Sequence, residues 1–156
     1  MIYSCYTNLV HRDDLVDDAS IAASPMIVQA RIPKAKELRI TIVGDTIFPV
    51  AFETAGVPDA DVDWRRLGLD ITNIAHTVHP LPNSLEASLR HYMRRLNLVF
   101  GCVDMILTPG GEYVFLEINP SGQWGWIEAC TGRRASSSGS AICSGRSWHS
   151  APSARS

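Results

Sequence analysis

The stretch Phe100-Gly101-Cys102-Val103-Asp104-Met105-Ile106-Leu107-Thr108-Pro109-Gly110-Gly111-Glu112-Tyr113-Val114-Phe115-Leu116-Glu117-Ile118-Asn119-Pro120 decides the fold. Two apolar-rich runs flank the turn signal Thr108-Pro109-Gly110-Gly111, so the stretch reads as a β-hairpin with strands over 99–107 and 112–118. Residues two apart in a strand share a face, which puts Glu117 and Asn119 on the same side. A turn centred on Gly110-Gly111 pairs 109 with 112 and 104 with 117, and a two-residue or four-residue loop gives the same register. Asp104 then lies opposite Glu117, and Val103, Met105, Val114, Leu116 and Ile118 take the other face, towards a core. Two opposed carboxylates repel. A hard divalent cation held by carboxylate and amide oxygens relieves that repulsion, and Mg²⁺ characteristically takes few protein oxygens together with substrate phosphates. The same pattern also fits a solvated polar face on an ordinary hairpin.

Upstream of this hairpin, residues 83–97 read as a helix, with Leu85, Leu89, Met93 and Leu96 at helical spacing. Asn83 is the expected N-cap, and Glu86 stands three residues on, as in a capping box. Earlier still, residues 37–43 alternate cleanly, with Leu38, Ile40 and Ile42 on one face and Glu37, Arg39 and Thr41 on the other. Gly44-Asp45 is a turn and 47–53 the return strand; 26–32 reads as a further strand, and 56–63 as a loop. Two hairpins around one helix predict an α+β domain with a mainly antiparallel sheet and a packed helix.

Arg39 has the planar fork that grips phosphate oxygens in two-pronged fashion, and Arg65, in Asp63-Trp64-Arg65-Arg66, is a loop arginine with the same capacity. Both patterns also fit exposed charge. The histidines show no metal-ligand spacing, and His76 and His79 read as surface residues beside a loop. No Walker-A, dinucleotide-binding or nucleophile-elbow pattern is present.

The chain has 156 residues, about one domain, of which 46% are hydrophobic. No run approaches the roughly 20 apolar residues of a membrane span, and the start reads as no signal peptide. Four scattered cysteines without paired spacing fit a reducing, cytoplasmic setting. The net charge of -2 is uneven: all sixteen acidic residues precede Gly132, against ten of the basic ones. Such a mildly acidic body does not suit nucleic acid. Residues 133–156 are rich in serine and arginine and are expected to form a disordered tail.

Taken together, Val28-Gln29-Ala30-Arg31-Ile32, Lys36-Glu37-Leu38-Arg39, Gly44-Asp45, Asp63-Trp64-Arg65, Val103-Asp104 and Phe115-Leu116-Glu117-Ile118-Asn119-Pro120-Ser121-Gly122-Gln123-Trp124 resemble the C-terminal half of an ATP-grasp ligase. Within that superfamily they are most similar to microviridin-type maturases of ribosomally made peptides. The resemblance implies a partial ATP-grasp domain over 1–132, with ATP and Mg²⁺ as cofactors. It implies Asp104, Glu117 and Asn119 as metal ligands, and main-chain reading of adenine around Gln29, Ala30 and Arg31. It implies Glu37 at the ribose, with Arg39 and Arg65 at the phosphates and carrying the catalysis. The expected reaction joins a carboxylate to an amine or hydroxyl of a precursor peptide through an acyl phosphate. Another carboxylate–amine ligase, or an inactive truncated nucleotide-binding remnant, stands as the alternative. An N-terminal domain and an earlier half of the fold are expected in relatives of this kind, and the basic tail resembles translation in another frame. Without the family's following helix, Trp124, Trp126 and Ile127 are expected to be exposed. The sequence leaves the oligomeric state open.

Overall fold

The computed structural model describes residues 6–15, 19, 22, 27–54, 56–58, 60, 62–67 and 74–131. The expected Arg- and Ser-rich tail at 133–156 lies outside the described residues, as do Gly132 and Met26.

After a 3-10 turn at Arg12–Leu15, the chain forms β1 (Lys36–Val43), β2 (Thr46–Phe52), β3 (His76–Val78), α1 (Asn83–Arg95), β4 (Phe100–Leu107), β5 (Tyr113–Asn119) and α2 (Gly125–Thr131). The strands make one sheet in the order β3-β2-β1-β4-β5, with neighbours antiparallel throughout. The α+β expectation with a mainly antiparallel sheet therefore holds. Its two hairpins, β1–β2 and β4–β5, are joined side by side through β1 and β4, which puts Arg39 directly opposite Asp104.

One face of the sheet meets α1. Leu38, Ile40, Ile42, Ala51, Val103 and Met105 pack there against Leu89 and Met93 of the helix and Leu81 before it. Each such fully buried aliphatic side chain stabilises the fold by about 1.5–3 kcal/mol relative to leaving it exposed. The helix starts differently from the expectation. Pro82 is the N-cap residue and offers no side-chain bond, while Asn83 already belongs to the helix. The Pro82 carbonyl accepts from the amides of Leu85 and Glu86, and the Glu86 side chain turns to Arg90 instead of back to the cap. The helix ends on Asn97 at φ 53, with the Leu98 amide donating to Met93 and the Asn97 amide to Arg94. This is the left-handed stop that satisfies the last free carbonyls, and asparagine tolerates it well.

The 26–32 strand does not form among the described residues: 27–34 carry no strand, and Ile27 is 92% exposed. Strand pairing needs a free sheet edge, and β1, the nearest strand in sequence, is already occupied on both sides by β2 and β4. The ends of the chain's last described element also differ from expectation. Ile127 is only 5% exposed, and Trp126 packs against Phe52, Trp64 and His76. Helix α2 turns back onto the sheet, so these apolar groups are covered from within the chain.

The candidate phosphate and metal face

The second face of the sheet carries the chemistry. Cα partners across antiparallel strands share a face, so Glu37, Arg39 and Thr41 of β1 stand with Ile106, Asp104 and Cys102 of β4. Asp104 pairs with Glu117, and Cys102 with Asn119, which extends the same face onto β5. The expected convergence of Asp104, Glu117 and Asn119 is therefore present, but it arises by a different route. The turn is a three-residue loop: Thr108 and Glu112 close it, the Thr108 amide donating to the Glu112 carbonyl, and Gly111 sits at φ 83. Positive φ is the reason for glycine there. This loop pairs Leu107 with Tyr113, one position off the expected register, and a bulge at Leu116 restores it so that Asp104 meets Glu117.

The bulge also reassigns the core face of β5. Phe115, opposite Met105, lies on the helix side, where its ring meets Tyr92 of α1 at 5.5 Å. Tyr113 packs against the core beside it. Val114 pairs with Ile106 and so takes the other face, and Leu116 is 42% exposed at the bulge. The assignment of Val114 and Leu116 to the core is thus corrected, because strict alternation fails wherever a strand carries an extra residue.

Glu37 and Arg39 are far from the exposed pattern that their sequence also fits: they are 8% and 6% exposed. Burying a charge is costly without a partner, and each has one. Arg39 Nη1 donates to both carboxylate oxygens of Asp104 at 2.8 Å, and its Nη2 donates to the Gln123 carbonyl at 3.2 Å. Lys34 pairs with Glu37 and also donates to the Ala60 carbonyl at 2.9 Å. Two atoms of this cluster are nevertheless buried without a hydrogen-bond partner: Glu37 Oε2 and Arg39 Nε. Burial pushes the Asp104 carboxyl above its ordinary range. Arg39 opposes the rise, and the like charge of Glu117 adds to it. Burial likewise raises Glu37, against the pull of Lys34.

Arg65 stands on the 63–66 loop. Its Nε and Nη2 hold the two oxygens of Asp63 at 2.8 and 2.7 Å, and Thr7 donates its amide to the same carboxylate. Burial alone would raise Asp63, but the hydrogen bonds from Arg65 and Thr7 outweigh it and hold the carboxyl down at about 2. Arg65 is raised, first by that hydrogen bond and more weakly by the charges of Glu117 and Asp104. It therefore lies within electrostatic reach of the acid pair. Gln29, Ala30 and Arg31 are exposed and outside the buried cluster.

Several contributors escaped the sequence reading. Gly122 lies over Arg39 and Cys102 so closely that a methyl group added to it would sit 2.6 Å from the Cys102 Cβ and 2.7 Å from Arg39 Nη2. Only glycine lets the Pro120-to-Gln123 turn lie down on the sheet and offer its carbonyl to Arg39. Phe52, Trp64, His76 and Trp126 form an aromatic cluster beside the charged one, with ring centroids 5.5–6.1 Å apart. His76 is thus not the surface residue expected: it opens β3, its Nδ1 lies 2.6 Å from the Ile74 carbonyl, and its Nε2 is buried without a partner. His79 is half-buried, 2.9 Å from the Tyr113 hydroxyl. The signal that could have flagged these groups is the density of Trp and Gly between 120 and 126.

Among the described residues no three His, Cys, Asp or Glu side chains cluster closely enough to hold a metal ion on their own. The donor set available is two carboxylates and one amide oxygen, all hard oxygen ligands. Asn119 Oδ1 is oriented by accepting from the Ser121 amide at 2.8 Å. This set fits Mg²⁺, which completes its shell with water and phosphate oxygens. No helix among the described residues is long and apolar enough to cross a membrane.

No family model and no curated protein sequence matches the chain. Solved structures do. A RiPP-associated ATP-grasp ligase from Chryseobacterium gregarium, in complex with ADP and a leader and core peptide, is 30% identical with a TM-score of 0.76; the match covers 82% of this chain and 40% of that one. The macrocyclase MdnB from Microcystis aeruginosa MRC is 39% identical with a TM-score of 0.52, over 80% of this chain and 42% of its own. The ATP-grasp ligase PsnB, complexed with a phosphomimetic variant of its minimal precursor, Mg and ADP, shares the fold at a TM-score of 0.65 and 15% identity. This chain, which spans less than half the length of the ligases it matches, is similar in fold and sequence to the RiPP-associated ATP-grasp ligases.

Proposed function

We propose that this chain forms the phosphate- and metal-binding face of an ATP- and Mg²⁺-dependent carboxylate ligase that closes ester or amide bonds in a ribosomally made precursor peptide. The observation that carries the reading is the pair of opposed carboxylates, Asp104 and Glu117, beside the buried guanidinium of Arg39 on one sheet face. The solved ligases bound to ADP and to leader, core or precursor peptides support it.

On this reading Asp104, Glu117 and Asn119 hold the cation, which when bound supplies charge neutralisation at the phosphate oxygens. Arg39 stabilises the transferring phosphoryl group or the acyl phosphate, and Arg65, fixed from one edge by Asp63, offers its remaining guanidinium hydrogens to the phosphates. Glu37 keeps Oε2 unpartnered, an acceptor suited to a ribose hydroxyl. The main chain at Gln29, Ala30 and Arg31 reads adenine. None of these groups is a covalent nucleophile; the chain contributes position and electrostatics.

Calorimetry of the full chain with ATP tests the assignment. Binding is expected to require Mg²⁺ and to be lost in Glu117→Gln. ATP bound equally well without Mg²⁺, or undiminished by that substitution, would remove the metal role from this face.

A further inference from the structure

The acid pair already has a cation of its own. Arg39 Nη1 sits 2.8 Å from both oxygens of Asp104, so the carboxylate that would bind a metal has both oxygens engaged by the guanidinium. Arg39 and Asp104 are direct partners across the two central strands, β1 and β4, so the contact is set by the sheet itself. The second arm of the guanidinium is held by the Gln123 carbonyl and roofed by Gly122. Its Nε is buried without a partner, as is Oε2 of Glu37 on the same face, and both residues are more than nine-tenths buried.

The charges disfavour a divalent ion on Asp104 for as long as Arg39 holds that carboxylate. Asp104 and Glu117 carry two negative charges, which Arg39 reduces to one; Lys34 with Glu37, and Arg65 with Asp63, are already matched pairs. Placing a doubly charged ion on Asp104 puts it within a few ångströms of a buried guanidinium, and like charges at that separation repel strongly away from water. We propose that Arg39 is the resident counterion of the acid pair, that a divalent cation must take Asp104 from it, and that the guanidinium so released is what captures the anionic ligand. The inference rests on the reading of Asp104 and Glu117 as cation ligands and adds the regulation of that site. A phosphate-bearing ligand, by drawing Arg39 away, makes room for the cation, and the cation makes Arg39 available to phosphate. Each therefore favours the binding of the other, as linkage requires. The exchange breaks the contacts of Arg39 to Asp104 and to the Gln123 carbonyl while β1 and β4 stay paired.

The test is Mn²⁺ binding to the full chain without nucleotide, followed by electron paramagnetic resonance of the free ion. Arg39→Met is expected to bind Mn²⁺ more tightly than the unaltered chain by at least about fivefold, the lower end of typical coupling between sites. A variant damaged in its fold would bind more weakly, so the direction of the change is diagnostic. Arg39→Lys, which keeps the charge but loses the fork, decides the matter if Arg39→Met does not fold: it is expected to tighten Mn²⁺ binding by a smaller factor. Equal or weaker binding in the folded variant, including no binding in either protein, overturns the proposal. Adding Asp104→Asn to the Arg39 variant separates this from the underlying reading. If Mn²⁺ binding then persists undiminished, Asp104 is not a ligand, and it is the assignment of the metal site that fails.

Discussion

Two of the arginine–aspartate pairs among the described residues, Arg65–Asp63 and Arg39–Asp104, have carboxyls that move in opposite directions. Asp63, gripped by Arg65 on a loop, is held down at about 2. Asp104, gripped by Arg39 in the centre of the sheet, is pushed up. Both are short, with contacts of 2.7–2.8 Å, so contact length does not explain the difference. Surroundings do. Asp63 receives two guanidinium nitrogens and two backbone amides, including that of Thr7, and its arginine stays 52% solvent-exposed. Asp104 receives a single guanidinium nitrogen, with Glu117 opposite. Hydrogen bonds to the charged form stabilise it, whereas burial and a like-charged neighbour destabilise it. The first pair has its carboxylate fully satisfied, and in the second Arg39 only partly offsets the two opposed carboxylates of Asp104 and Glu117.

The largest expected effect comes from removing the two arginines in turn. Arg39→Ala leaves Asp104 and Glu117 facing each other without a cation and is expected to cost about 3 kcal/mol in urea unfolding at neutral pH, as for other broken buried pairs. Arg65→Ala leaves the buried Asp63 carboxylate with its two backbone amides, so it is expected to cost less than Arg39→Ala, about 1–2 kcal/mol. Equal costs would break the distinction between the pairs.

Gly122→Ala comes next. A methyl group there meets the Cys102 Cβ at 2.6 Å on backbone that cannot readily retreat, and about 1–3 kcal/mol of destabilisation is expected from the overpacking. Because Gly122 also covers Arg39, the cost should be non-additive with Arg39→Ala and additive with Arg65→Ala, which a double-mutant cycle measures. Additivity with both would detach Gly122 from the sheet-centred pair.

The smallest effect is on pH dependence. The carboxyl of Asp63 is lower folded than unfolded, where its ordinary value is 3.8, so it contributes stability above about pH 4 that is lost as pH falls towards about 2. With the discount for a solvated partner this amounts to about 1–2 kcal/mol. Asp63→Asn should abolish that component of acid unfolding. Asp104 is raised, so the sign reverses: its contribution is present below pH 3.8 and declines as pH rises through its folded value. The difference in stability between the unaltered chain and Asp104→Asn should therefore move in favour of the variant as pH increases. A parallel response of the two substitutions would contradict the opposite shifts.

What the sequence determined by itself was local and periodic. Alternation placed 37–43 in a strand, an apolar run before a turn signal placed 99–107 in another, Gly44 and Gly111 marked turns, Leu89 and Met93 marked the buried stripe of α1, and parity put Glu117 with Asn119. The resemblance of these motifs to ATP-grasp ligases was legible for the same reason, since it rests on contiguous runs. Tertiary structure decided everything that depends on what lies above or beside a strand. It buried Glu37 and Arg39, because β2, β4 and the turn at Gly122 surround them. It left 27–34 without a strand, and β1, the nearest strand in sequence, is paired on both sides by β2 and β4. It inserted the bulge at Leu116, so that a three-residue turn and an extra residue together yield the Asp104–Glu117 pairing that a simpler turn was expected to give. And it gave two arginine–aspartate pairs opposite electrostatics, because the free energy of a charge is set by how many hydrogen bonds and which neighbouring charges the finished fold leaves around it.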